Sequence, residues 1–292
     1  MSQPFQIVCL TALAMVAFAA NSVLARLALI GGEIGPWSFT LIRVASGAAC
    51  LFALAGRRAW PAGSWTSSAA LLAYAGFFSF AYLALDSGMG ALILFAVVQI
   101  TMLGWGLARG ETLTPVQSLG AVSAFGGLVW LVSPGAGAPV PVAAAAMAVA
   151  GAAWGVYSLR GRGGGDPIAA TAGNFVRAAL IAVPLSLAIL PAAPEPAPNP
   201  FGIGLALTSG VLTSGAGYAI WYKALKHLSA IRAGLAQLTV PAIAALGGVV
   251  FLGEAFTLRF GGASLLILGG VALATAQPRS RSSGKLPEAT ND

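Results

Sequence analysis

The side chains in this sequence best placed for chemistry are aromatic rings at helical spacing, and the chemistry they suit is recognition. Tyr74, Phe78 and Tyr82 follow at steps of four, which puts them on one face of a helix. Trp154 and Tyr157 stand three apart, and Tyr218, Trp221 and Tyr222 form a third group. Two amides, Asn21 and Gln99, fall inside apolar stretches with few other polar groups. Rings for stacking and a few amides for orientation suit a flat, mostly apolar solute with a polar end. Alternatively, the same rings fill gaps between helices. Trp37, Trp60, Trp65, Trp105 and Trp130 lie near the ends of apolar stretches and suit a membrane-interface belt.

Covalent catalysis finds little support, and no enzyme is expected. His227 is the sole histidine and stands beside Lys226 at a helix end. The chain has no H-E-x-x-H, no paired carboxylates and no Ser-His-Asp set. G-R-G-G-G-D at 161–166 lacks the Lys and the following Ser or Thr of a phosphate-binding loop. Neither a metal nor a cofactor is expected. Cys9 and Cys50 fall inside predicted helices and read as inert buried thiols. The net charge of +7 does not point to nucleic acid, because basic residues occur singly or in pairs without a stripe.

Arg43 and Arg177 both fall inside apolar stretches. An ionisable group at membrane depth must be paired, hydrated or snorkelling. Capture of a substrate carboxylate and contact with helix-end carbonyls or lipid headgroups both remain open for them. All 8 acidic residues lie in loops or at the ends of apolar stretches. No carboxylate is therefore placed at mid-membrane to carry an exchanged proton, and substrate-gradient-driven uniport is expected.

These residues must be positioned by membrane helices. Charged residues make up 8 % of the chain and hydrophobic ones 58 %, with a mean hydropathy of +0.87. A soluble domain carries about 25 % charge. Ten spans are predicted: Gln6–Leu27, Pro36–Ala55, Thr66–Leu85, Ser87–Leu107, Pro115–Leu131, Val140–Leu159, Ile168–Leu190, Gly202–His227, Ala230–Leu252 and Leu258–Thr275. The tail from 277 to 292 is polar and reads as mobile.

The spans form a duplicated unit. L-A-R-G-E-T-L-T at 107–114 and L-G-E-A-F-T at 252–257 share Gly-Glu followed by Thr three residues later, at an offset of 143 from Glu111 to Glu254. The same offset aligns Ala81 with Ala224, Leu85 with Leu228, and Gly126-Gly127 with Gly269-Gly270. Upstream, an offset of about 134 aligns Arg43 with Arg177. The halves are 1–135 and 136–276. With the N-terminus inside, eleven of the fifteen Lys and Arg fall on the inner side. The positive-inside rule then puts both termini in the cytoplasm. Five spans per half invert the second half relative to the first, an arrangement suited to alternating access.

The doubled G-E-x-x-T junction and the paired glycines resemble the EamA repeats of the drug/metabolite transporter superfamily. So do A-A-W-G at 152–155 and L-T-V-P-A-I-A-A-L at 238–246. The aromatic-rich helices are most similar to YddG-type aromatic amino acid exporters. The resemblance implies an all-α protein of the bacterial inner membrane, ten helices in two inverted repeats. It also implies a central cavity lined mainly by the first, third, fourth, sixth, eighth and ninth helices. The implied partners are a small-molecule substrate, most readily an aromatic or other apolar amino acid, and membrane lipid, and a monomer suffices. Substrate-binding candidates are Asn21, Tyr74, Phe78, Tyr82, Gln99, Trp154, Tyr157 and Trp221. Pro241 is expected to break the ninth helix and serve as a hinge; its repeat mate is Val98, so the halves are expected to bend unequally. Export of drug-like cations or other metabolites, and a non-transporting scaffold, are the alternatives.

Overall fold

The computed structural model describes residues 3–110, 112–161, 165–225, 227–228 and 236–275. Glu111 and the tail from 277 to 292 lie outside the described residues, so nothing structural bears on them. Among the described residues there is no strand. The helices are α1 (Gln3–Ile30), α2 (Pro36–Ala55), α3 (Trp65–Ala81), α4 (Ser87–Ala108) and α5 (Pro115–Val132). They continue with α6 (Pro141–Arg160), α7 (Pro167–Ala192), the rod α8 (Pro200–Leu225), α9 (Val240–Leu252) and α10 (Leu258–Thr275).

The starts of these helices are written locally. Proline occupies the first turn of α2, α5, α6, α7, α8 and α9, where its missing N–H leaves no helical bond unmade. Ser64 caps α3, Asp166 caps α7 and Asn199 caps α8, each accepting from a backbone N–H. Thr114 and Gln117 form a reciprocal capping box at the start of α5.

Among the described residues, seven helices are long and apolar enough to cross a membrane. Their outer faces carry large apolar side chains with no partner in the fold: Leu187 is 76 % exposed and Val122 69 %. Water would make such surfaces costly, whereas lipid does not. The chain is a multi-pass membrane protein.

Inside the bundle, α5 packs along α10, α2 along α7, and α3 and α4 along α6. Helix α1 packs on α8 and α9, and α4 meets α9. The α5–α10 contact is a close one. A Cβ on Gly120 would lie 2.5 Å from the Gly270 carbonyl oxygen, and a Cβ on Gly270 would lie 2.5 Å from that of Gly120. Small residues let the two backbones touch.

Polar ties hold the loops at each end. At one end, Glu195 accepts from the N–H groups of Trp37 (3.0 Å) and Ser38 (2.7 Å), closing the start of α2. At the other, Arg58 pairs with Asp166 at 2.6 Å, and Arg160 donates to Ser67 at 3.1 Å. Arg177 donates to the carbonyls of Trp60 and Ala62 and fixes the α2–α3 loop, so of the two roles left open for it the structure shows backbone carbonyl contact.

Several boundaries differ from those expected. Helix α1 runs from Gln3 to Ile30, beyond both ends of the expected span. Helix α3 stops at Ala81, and residues 82–85 turn instead of continuing to Leu85. Helix α7 tolerates Pro184 inside it. In the ninth span residues 236–237 are helical, 238–239 turn, and the helix resumes at Val240 with Pro241 in its first turn, while 229–235 lie outside the described residues. Rod α8 is interrupted by a π-helical stretch, Ser209–Ala216, for which the sequence carries no periodic signal. Cys9 is exposed on α1 instead of buried, and Cys50 is half-buried.

Candidate functional site

Five helices enclose a small cavity at the centre of the bundle. Helix α1 supplies Phe18, Asn21 and Ser22; α3 supplies Tyr74 and Phe78; α4 supplies Leu94 and Phe95. Trp154 comes from α6, and Thr213, Ser214 and Tyr218 from α8. The open space is about 20 Å³, room for about one water molecule. The rings form a continuous chain. Tyr74 and Trp154 have centroids 4.8 Å apart, Trp154 and Tyr218 5.3 Å, and Tyr218 and Phe18 5.6 Å.

The polar groups of this wall are held from behind. Asn21 accepts from the hydroxyls of Ser209 (2.6 Å) and Thr213 (3.0 Å), so its amide is fixed by the π-helical stretch of α8. A π turn carries i→i+5 bonds and often marks a functional site. Arg43, on α2, is 2 % exposed and lies behind Tyr74, Phe78 and Ser214. Its Nε donates to Ser214 Oγ at 3.1 Å and its Nη2 to the Tyr74 hydroxyl at 3.0 Å. Its carbon centre stands 4.9 Å from the Phe78 ring centroid, a cation–π distance. The remaining nitrogen, Nη1, is buried and has no hydrogen-bond partner among the described residues.

A second polar cluster sits at the end of α1. Arg26 is 7 % exposed and donates to the Tyr82 carbonyl at 3.0 Å. It stands 3.6 Å from both Asp86 and Glu254. Glu254, in the α9–α10 loop, accepts from the Ser87 N–H and hydroxyl, and so closes the start of α4. Burial pushes the Glu254 carboxyl above its ordinary range, and Asp86 adds to this, while Ser87 and Arg26 oppose it. Beside the cluster opens a pocket of about 180 Å³, lined by Asp86, Met89, Val140, Ala245, Glu254 and Phe260 among others.

Residues 141–276 match the EamA-like transporter family. The chain belongs to that family. Membership places this EamA protein in the drug/metabolite transporter superfamily, whose EamA members are transporters and not enzymes. An uncharacterized protein of Pseudomonas aeruginosa is 49 % identical over 271 residues, covering 91 % of this chain and 93 % of that protein. A solved crystal structure has the same fold with a TM-score of 0.65. It is 23 % identical, with 94 % of this chain and 99 % of that chain covered.

Of the candidates read from the sequence, Asn21, Tyr74, Phe78 and Trp154 stand at the cavity wall of the EamA protein. The other candidates stand elsewhere. Tyr82 lies one step beyond the end of α3 and donates to the Ser87 carbonyl at 3.2 Å, next to the Arg26 cluster. Tyr157 is buried toward the other end, accepting from the Asn174 amide at 3.5 Å. Trp221 packs edge-on against Phe18 at 6.0 Å, and Gln99 is half-buried on α4 away from the wall. Among the described residues α9 contributes nothing to the wall. Phe18, Thr213, Ser214 and Tyr218 belong to it although they were not among the candidates. Tyr218 was signalled by the aromatic cluster of the eighth span; Phe18 and the two hydroxyls carried no signal.

Proposed function

We propose that this protein exports small amphipathic metabolites, most readily aromatic or other apolar amino acids, by alternating access around the central cavity. The observation that carries this is the ring of aromatic side chains around Asn21 where five helices meet. A site closed to about one water must open before a solute of amino acid size can enter. In this account all ten helical segments cross the bacterial inner membrane as two inverted halves, with both termini in the cytoplasm. The pattern of contacts supports a symmetric pairing of the halves: α2–α7, α4–α9 and α5–α10 each join a helix to its repeat mate. Likewise α1 meets α8 and α9 as α6 meets α3 and α4. Similarity of the aromatic helices to YddG-type exporters favours aromatic amino acids. The energy source is the substrate gradient.

The test is reconstitution of the purified protein in sealed liposomes loaded with a labelled aromatic amino acid. Saturable counterflow, competed by other aromatic amino acids, is expected. A flux that does not saturate would favour a scaffold, and one competed only by drug cations would overturn the substrate assignment.

A further inference from the structure

We propose that Arg43, with Tyr74 and Ser214, makes the central cavity a receptor for one carboxylate, so that the solutes carried are acids and zwitterions and not cations. This rests on the cavity being the solute site. Arginine stays charged in proteins, and a buried charge is costly unless it is paired. Arg43 is 98 % removed from solvent, since only 2 % of it is exposed. No carboxylate among the described residues reaches it. Glu33 is bound to Asn199, Asp86 and Glu254 to Arg26, Asp166 to Arg58, and Glu195 to the start of α2. The rings of Phe78 and Tyr74 offset part of the charge. They accept no hydrogen bond from Nη1, which stays without a partner.

The two hydroxyls turn this charge toward the cavity. Tyr74 and Ser214 each accept from the guanidinium. Neither donates its own hydrogen to an acceptor among the described residues, and both belong to the cavity wall. A hydroxyl whose lone pair is taken by a cation is a better donor, because hydrogen bonds in a chain polarise one another. The wall therefore offers two O–H donors backed by an unbalanced positive charge. A carboxylate supplies both the acceptors and the missing charge. An ammonium group in the same place meets a like charge across a short, low-dielectric path. Arg43 is thus a positioning residue: it acts through Tyr74 and Ser214. Its repeat mate Arg177 has no such role, as its donors are spent on backbone carbonyls.

Three indole compounds isolate the effect in purified protein held in lipid nanodiscs: indole-3-propionate, tryptamine and 3-methylindole. Equilibrium binding is measured for each on wild-type protein. Indole-3-propionate is expected to bind at least about tenfold more tightly than 3-methylindole, and tryptamine more weakly than either. Arg43→Gln should abolish the advantage of the propionate. Ser214→Ala leaves the guanidinium in place and should weaken the propionate by more than it weakens 3-methylindole. Binding of tryptamine as tight as the propionate overturns the proposal, and so does an advantage that survives in Arg43→Gln. If no indole compound binds the wild type, the central cavity is not the solute site and the wider functional proposal fails with this one.

Discussion

Tyr74 on α3 and Trp154 on α6 face each other across the central cavity with ring centroids 4.8 Å apart. This contact joins α3 to α6, the first helix of residues 136–276. In the proposed transport cycle a solute entering the cavity meets both rings.

Trp154→Ala removes one ring of this tilted pair. Saturable flux should fall by roughly two- to tenfold, since an aromatic pair in a buried setting is worth roughly 0.5–1.5 kcal/mol beyond its area. Trp130 sits at the end of α5, 45 % exposed, and Trp130→Ala should leave flux near the wild-type value at equal expression. Comparable fluxes in the two variants would reduce Trp154 to a spacer between helices.

Glu254 carries a pH signature. Its folded pKa is raised by burial, so the folded chain holds a proton here over a range in which the unfolded chain does not. The stability it contributes is present below the unfolded pKa, about 4.3 for glutamate, and is lost as pH rises through the folded value. Glu254→Gln keeps an acceptor for the Ser87 N–H and cannot titrate. The melting temperature of wild type minus that of Glu254→Gln should therefore increase as pH is lowered from neutral. A difference that shrinks on acidification would mean that the ion pair with Arg26 dominates instead.

Gly270→Val tests the contact between α5 and α10. A Cβ there would lie 2.5 Å from both the Gly120 carbonyl oxygen and the Ala124 nitrogen, backbone atoms that cannot swing aside. Overpacking of this kind costs about 1–3 kcal/mol, read as a lower melting temperature in detergent. Gly126→Val, where a Cβ meets nothing within 4 Å, should melt like wild type. Equal melting of the two variants would show that α5 and α10 can slide apart freely.

Topology is open to cysteine labelling in a background lacking Cys9 and Cys50. Ala136→Cys, in the exposed α5–α6 loop, should react with an impermeant thiol reagent on intact cells. Arg109→Cys, exposed past the end of α4, should react only after lysis. The reverse pattern would invert the orientation.

Helix positions were legible because apolar length, first-turn prolines and capping residues are local signals. The site was legible only in part. A step of four sets which face of α3 carries Tyr74, Phe78 and Tyr82, but not how far along the bundle each one sits. Tyr82 falls past the helix end, where the backbone turns, and so leaves the cavity. Trp221 and Tyr157 are buried at other depths for the same reason: periodicity gives direction around an axis and says nothing of the neighbour met there. Arg43 was conspicuous as a charge inside an apolar stretch. Its bonds to Tyr74 and Ser214 depend on how α2 packs on α3 and α8, which no local pattern encodes.

In the proposed duplication, the shift in repeat offset from about 134 to 143 falls within one pair of helices. Helix α3 has 17 residues and its counterpart, the rod α8, has 26, a difference that matches the step. Within that extra length lies the π-helical stretch Ser209–Ala216. Each residue accommodated by a widened turn rotates everything beyond it by about 100° relative to an unbroken α-helix. The stretch therefore works as a phase shifter. Ser209 and Thr213 aim at Asn21 on α1, the very next residue Ser214 aims at Arg43 on α2, and Tyr218 aims at Trp154 on α6. One rod thereby addresses three neighbours in different directions.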